Sequence, residues 1–143
     1  PAQQPVRITA DRLVYNEGQG TVVFEGNVQA DHAGMHLQST KVTAHLNDQG
    51  QSKNDGDQID RIVAEGSVVV TKDTARGTCA MLTYFVQDGV LRMEGDPVLQ
   101  DGPNTVTGEI IKFYLKDNRS EILSGGGKRV EAVFTLPEEM QVR

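Results

Sequence analysis

Apolar and polar residues alternate along most of this chain, as in strands that bury one face. In one clear stretch Val22 and Phe24 fall on one side while Val23 and Glu25 fall on the other. No stretch carries a sustained apolar stripe at helical spacing, so the pattern predicts an all-β protein. The positions predicted to share the apolar inner face are Leu13, Tyr15, Val22, Phe24, Val28, Val42, Ile62, Val68, Val70, Leu82, Tyr84, Leu91, Met93, Leu99, Ile111 and Phe113.

A short motif recurs along the chain, and its recurrence predicts stacked structural units. Glu-Gly followed by apolar alternation begins at Glu25, Glu65 and Glu94, and Ser124 to Gly126 is a degenerate fourth copy. A similar strand-like segment precedes each copy, at residues 10–15, 39–44, 79–84 and 108–113. The polar run from Asn47 to Gln58 lengthens one unit, and its composition predicts a hairpin loop.

The recurring glycine falls inside an apolar strand face, where it predicts a bend or bulge in each unit. A sheet that bends at regular intervals rolls up, so we expect a β-jelly roll of stacked antiparallel strands with open terminal edges. Residues 1–143 are expected to form one such domain. Open edges pair with other chains, and a C-terminal strand predicted over Val130 to Leu136 should pair with Val6 to Leu13 of the next copy.

Composition excludes several classes of protein. The 143 residues include 14 Lys and Arg against 20 Asp and Glu, a net charge of -6, which disfavours binding to nucleic acid. No apolar run approaches the roughly 20 residues of a membrane-spanning helix. Cys79 is the only cysteine, so an intrachain disulfide is excluded and a small buried hydrophobe is expected there. The chain begins without Met or an apolar leader, which fits a processed secretory protein or a trimmed one.

Candidate chemical sites are weak. His32 and His36 flank Gly34 in a strand-and-turn region, where their spacing does not converge two imidazoles on a metal. Asn54 to Asp57 lacks the acidic pattern of a calcium loop, and Ser124 to Lys128 lacks that of a phosphate loop. The carboxylates lie on polar strand faces or in turns, away from the apolar surroundings that would tune them for catalysis. The sequence therefore predicts no metal, no cofactor and no enzymatic activity.

The repeated unit resembles the LptA/OstA family of periplasmic lipopolysaccharide-transport proteins. The resemblance lies in Ile8 to Tyr15 leading to Val22 to Val28, and in Glu94 to Leu99 leading to Val106 to Ile110, and it covers roughly Val6 to Gly126. It implies a β-jelly roll, a periplasmic location and passage of lipopolysaccharide along an apolar groove that holds the acyl chains of lipid A. Ala44 departs from the aromatic residues of the other units.

The resemblance also implies partners of the same fold. These are further copies of the chain joined head to tail, an LptC-like inner-membrane protein at one end and an LptD-like outer-membrane protein at the other. Burying an acyl chain of about a dozen carbons is worth on the order of 10 kcal/mol at about 0.8 kcal/mol per CH₂, so a net-acidic protein can retain an anionic lipid.

Other interpretations stay open at this point. An LptC-like role in the same pathway is one, although the lack of an N-terminal anchor in this sequence favours the bridge role. A self-assembling structural β module without a lipid ligand is another. A carbohydrate-binding jelly roll is disfavoured, because it would use exposed aromatic side chains and the chain has no Trp and only 5% aromatic residues. For any single inward residue, ordinary core packing is the alternative to lipid contact.

Overall fold

A computed structural model describes residues 5–47 and 58–136, and every regular element in them is a β-strand. This confirms the predicted all-β class. The end residues of the insertion predicted at Asn47 to Gln58 belong to strands β4 and β5. The residues between them, including the Asn54 to Asp57 cluster, lie outside the described residues. The strands are β1 Arg7–Thr9, β2 Arg12–Asn16, β3 Thr21–His32, β4 Met35–Asn47, β5 Gln58–Lys72, β6 Ala75–Phe85, β7 Val90–Glu94, β8 Val98–Asp101, β9 Asn104–Thr107, β10 Ile110–Tyr114, β11 Arg119–Leu123 and β12 Glu131–Val133.

The strands form one antiparallel, 12-stranded sheet whose long central strands belong to two layers. The first layer runs β2-β3-β4-β5-β6-β7-β10-β11, and the second runs β1-β3-β4-β5-β6-β8-β9-β12. The sheet branches at β6, which pairs with β7 through residues 81–85 and with β8 through residues 75–78. The same strands therefore build both walls of the interior.

The two layers meet at a bend that the recurring glycine creates. Gly26 and Asn27 have φ values of 86° and 49°, and Gly66 and Ser67 repeat the same pair of values. The β-ladder shifts register at both places, between Glu25 and Val28 and between Glu65 and Val68. In the next unit Gly95, with φ 81°, separates β7 from β8. The bend predicted from the glycine spacing is confirmed.

Close backbone approach is the second reason for glycine at the bend. A Cβ on Gly26 would lie 2.6 Å from Asp11 Oδ2, and a Cβ on Gly66 would overlap Thr40 Oγ1. The Asp11 N–H donates to Gly26 O at 2.9 Å, and the Ala80 N–H donates to Gly95 O at 3.0 Å. Glycine thus allows both the left-handed backbone and the contact with the segment upstream.

The C-terminal strand is shorter than predicted. Only Glu131–Val133 form β12, whereas the sequence pattern predicted a strand from Val130 to Leu136. The reason is the length of its one neighbour, since β9 has four residues and pairs with β12 through Thr105, Val106 and Thr107. Past this ladder the Thr135 N–H donates to the side-chain Oδ1 of Asn104 at 3.1 Å.

Candidate functional site

The apolar side of the first layer is continuous from one edge strand to the other. Residues directly opposite in antiparallel strands project to the same face, so one row of register partners identifies it. The row is Leu13, Phe24, Val42, Ala64, Leu82, Met93, Ile111 and Ile122, from β2 to β11. Every strand of the layer contributes an apolar residue to it.

The second layer carries a matching row, and the two rows face each other. Its members are Ile8, Ala30, Leu37, Val70, Gly77, Leu99, Val106 and Ala132. His32 of the second layer lies with its ring centroid 6.1 Å from that of Tyr84 in the first layer. Because three strand spacings along the sheet would separate β3 from β6 by well over 10 Å, this contact crosses the interior. The rolled sheet thus encloses an apolar groove.

The predicted inner-face residues divide by burial. Eight are buried: Val28, Val42, Ile62, Val68, Leu82, Leu91, Met93 and Ile111. Six are half-buried and pack against this core: Val22, Phe24, Val70, Tyr84, Leu99 and Phe113. Leu13 and Tyr15 are exposed, by 56% and 52%, although Leu13 faces Phe24 and Tyr15 faces Val22 across the ladder. They have the expected orientation, but β2 is an edge strand, and among residues 5–47 and 58–136 only β3 pairs with it.

Other groove residues were missed by the sequence reasoning. They are partly buried side chains packed on the same core, namely Val6, Ile8, Ala10, Met35, Leu37, Ile59, Val86, Leu115 and Ile122. Val86 and Leu115 lie two residues beyond Tyr84 and Phe113, so extending the same parity would have found them. Ile8 and Leu37 have the opposite parity to Leu13 and Val42, because the inward face changes parity at the bend, where β4 shifts register between Gln38 and Lys41. Met35 follows the Ala33-Gly34 turn, and only the turn signal itself marked that stretch.

Two adjoining cavities lie between the layers. The N-terminal cavity, about 60 Å³, is bounded by β1, by the tip of the β3–β4 hairpin and by Tyr84 and Leu91. The C-terminal cavity, about 330 Å³, lies between the β5–β6 hairpin and strands β7, β10 and β11. Leu91, Met93, Leu99, Ile111 and Phe113 form its apolar walls, while Lys72, Asp73 and Asp101 lie at its rim. The groove therefore has an apolar interior and a polar mouth.

Burial disfavours the charged forms of two inward-facing side chains, Cys79 and Tyr84. Burial raises the pKa of the Cys79 thiol to about 11. Burial also raises the pKa of Tyr84. Ser39, which faces Val28, donates its hydroxyl to Lys41 O at 3.2 Å and so needs no outside partner. An interior of this kind suits the hydrocarbon part of a ligand and disfavours the charged groups that acid–base chemistry requires.

Charged pairs lie on the outward side of the sheet. Arg12 Nη1 contacts Glu25 Oε1 at 2.6 Å, and Arg92 Nε lies 3.2 Å from Glu94 Oε2. The Lys128 ammonium donates to Asp96 beside the third bend, and this contact lowers the pKa of the Asp96 carboxyl. Within residues 5–47 and 58–136 no three His, Cys, Asp or Glu side chains come together as a metal site. The same residues include no helix long and apolar enough to cross a membrane.

Comparison with solved structures supports the fold. The crystal structure of LptH, described as the LptA-homologous periplasmic component of the lipopolysaccharide transport device of Pseudomonas aeruginosa, superimposes with a TM-score of 0.78. The match covers 93% of this chain and 96% of that one at 17% sequence identity. The predicted β-jelly-roll architecture is thereby confirmed.

Sequence comparison identifies the family. The lipopolysaccharide export system protein LptH of Pseudomonas aeruginosa is 28% identical over 130 residues, 87% of this chain and 69% of the relative. The lipopolysaccharide export system protein LptA of Escherichia coli K12 is 23% identical over 141 residues, 96% of this chain and 74% of the relative. The family model described as LptA/(LptD N-terminal domain) LPS transport protein matches residues 7–119, and the chain therefore belongs to that family.

Proposed function

We propose that this protein carries lipopolysaccharide through the periplasm as part of a bridge from the inner to the outer membrane, with the acyl chains of lipid A held between its two layers. The observation that carries the proposal is the apolar groove, which crosses every strand of both layers and ends at exposed apolar residues such as Leu13. Membership of a lipopolysaccharide-transport family and relatives named for lipopolysaccharide export support it.

Retention of the lipid follows from the chemistry of the groove walls. Each CH₂ transferred from water to the groove contributes about 0.8 kcal/mol, so a few buried acyl chains outweigh any repulsion between an anionic headgroup and the net-acidic protein. The headgroup stays at the polar mouth, where Lys72 lies on the rim of the C-terminal cavity. The proposal includes no catalytic step, since the relatives are named for export and burial disfavours the charged forms of the inward-facing Cys79 and Tyr84.

We further propose head-to-tail assembly of copies, with residues 1–143 acting as one jelly-roll domain. One edge of the sheet is formed by β1 and β2, and the other by β11 and β12. All pairings are antiparallel, and each layer has an even number of strands, so its first and last strands run in opposite directions. A second copy stacked on the edge thus pairs β11 with β2 and β12 with β1, both antiparallel. LptC-like and LptD-like partners of the same fold would use the same two edges.

Photo-crosslinking tests the lipid path. A photoreactive phenylalanine analogue at Phe24 or Phe113 should label lipopolysaccharide, because both side chains line the groove. The matched controls are the neighbouring outward positions Glu25 and Lys112, one residue along the same strands. Equal labelling at inward and outward positions, or labelling at neither, would contradict the proposed function and would favour a structural module without a lipid ligand.

Sedimentation tests the assembly. A chain that ends at Lys128 loses β12 and keeps β11, so it should still pair along the first layer but with a shorter interface. We expect the association of the truncated chain to weaken and not to vanish. An oligomer distribution that is unchanged over a wide concentration range would exclude the edge model, while lipid labelling at Phe24 could still hold.

A further inference from the structure

The two cavities of the groove adjoin at three side chains. Met35, Val70 and Leu91 line both the N-terminal and the C-terminal cavity. Met35 and Val70 come from the second layer, at the β3–β4 hairpin and on β5, whereas Leu91 comes from β7 in the first layer. The boundary between the two cavities is therefore lined by side chains from both walls.

Among these side chains Met35 is the one suited to move. Val70 is β-branched and lies within a long central strand, and Leu91 is 6% exposed between β6 and β10. Met35 is unbranched, half-buried and the first residue of β4, directly after the turn at Ala33 and Gly34. A thioether chain with several rotatable bonds changes rotamer at low cost and still fills an apolar gap.

The β3–β4 hairpin also contacts the opposite layer beside Met35. His32, the register partner of Met35 across the hairpin, lies against Tyr84, and the His32 Nδ1 lies 3.2 Å from Pro5 O. A hydrocarbon chain in the large C-terminal cavity thus reaches the small N-terminal cavity past Met35. The second wall of the passage, at Leu91, belongs to the core and has little freedom to yield.

We propose that the Met35 side chain is a movable partition in the groove, which an acyl chain displaces whenever lipid passes between the two cavities. The inference rests on the proposed function and deepens it, because it separates holding a lipid from passing it on. Met35 is in this sense a positioning residue that sets the continuity of the path.

Methyl NMR tests displacement directly. The methionines are Met35, Met81, Met93 and Met140, so ¹³C-methyl labelling gives few signals. Lipopolysaccharide should shift the signals of Met93, in the C-terminal cavity, and of Met35, and should leave that of the outward Met81 unchanged. A shift of Met93 without one of Met35 would overturn the partition and leave the proposed function standing. A shift of neither would overturn both.

A variant that separates binding from passage provides the second test. Met35→Trp should block the passage by overpacking it. The variant should still bind lipopolysaccharide, with an affinity within about threefold of normal when binding is followed by the Met93 methyl signal. Cells that depend on this protein for transport should then fail to deliver lipopolysaccharide to the outer membrane. Met81→Trp, the same change on the outward face, should transport normally.

Transport at the normal level by a Met35→Trp protein that binds lipopolysaccharide would overturn the partition. If circular dichroism shows that Met35→Trp is unfolded, Met35→Phe takes its place with the same two readouts and the same expectations.

Discussion

Two segments of this chain have almost the same pattern and very different surroundings. Leu13 and Tyr15 of β2 correspond in the repeat to Leu82 and Tyr84 of β6. Leu82 is 2% exposed and Leu13 is 56% exposed. Both leucines lie in the same row of the apolar face, since each faces its partner in register across the ladder.

The difference comes from neighbours and not from the segments themselves. β6 has β5 on one side and β7 on the other, whereas within the described part of the chain β2 pairs only with β3. A period-two pattern determines which way a side chain points, and the adjoining strands determine whether it is covered. The exposed leucine and tyrosine therefore mark the edge where a further strand is expected to add.

The largest effect should come from removing the buried leucine. Leu82→Ala leaves a cavity in the core and should lower the free energy of unfolding by about 3 kcal/mol, whereas Leu13→Ala should change that of the monomer by less than about 0.5 kcal/mol. Urea unfolding at low protein concentration measures both. Equal losses would mean that the edge strand is covered within the monomer, and the comparison would fail.

A second pair of variants tests the bend that places both segments on one face. Gly66→Ala should lower the free energy of unfolding by about 2 kcal/mol, because it combines a left-handed backbone with an overlap on Thr40. Gly34→Ala is the matched control, since its φ of 84° is nearly that of Gly66, and among the described residues no atom beyond its chain neighbours lies within 4 Å of the added Cβ. Gly34→Ala should lower the free energy of unfolding by about 1 kcal/mol, because only the left-handed backbone is unfavourable there. Similar costs for the two would remove the packing argument at the bend.

A charged side chain on edge strand β2 tests whether that edge joins copies of the chain. Leu13→Glu should weaken association between copies about tenfold, which corresponds to about 1.4 kcal/mol, because a carboxylate would be buried at the joint. Analytical ultracentrifugation measures the association constant, and urea unfolding should show an unchanged monomer. Glu17, in the turn after β2, offers a control position, where Glu17→Gln should leave association unaltered. Unchanged association of Leu13→Glu would place the joint elsewhere.

Much of the fold was predictable because its signals are local. The parity of Phe24 and Glu25 needs only the alternation of a strand, and the left-handed bend needs only glycine at Gly26, Gly66 and Gly95. The turn at Asp73 and Thr74, where Asp73 adopts a left-handed φ of 55°, was not predicted. An aspartate before threonine is a weaker turn signal than Asn-Gly or Asp-Gly.

What the sequence left open depends on contacts between distant segments. The branch of the sheet at β6 and the shortened β12 follow from which strands lie side by side, and β12 is short because its neighbour β9 has only four residues. The partition is a further case, since Met35, Val70 and Leu91 are far apart in sequence and meet only when the layers fold together. Periodicity finds the inner face, and only the packing shows which of its residues lie where the two cavities adjoin.

The smallest change to the molecule is to move its one thiol to the equivalent position of another repeat. Cys79 corresponds to Ala10, which lies half-buried between the two edge strands. Burial raises the pKa of Cys79 from 9.0 to about 11, so the thiol stays protonated at pH 8. In a Cys79→Ala background, the thiol of Ala10→Cys should keep a pKa near the ordinary thiol value. At a pH below both pKa values, each unit of difference in pKa changes the fraction of thiolate tenfold. We expect the edge thiol to react with iodoacetamide about a hundredfold faster at pH 8.

The pH dependence fixes the reason for this contrast. The alkylation rate of Cys79 should keep rising until about pH 11, whereas that of Ala10→Cys should level off lower, near the usual thiol value. The raised pKa also means that the folded state favours the neutral thiol, so stability that is present below pH 9 is lost as the pH rises toward 11. Replacement of Cys79 by Ala should remove that loss. Two parallel rate profiles would instead mean that the interior at Cys79 is as open to water as the edge at Ala10.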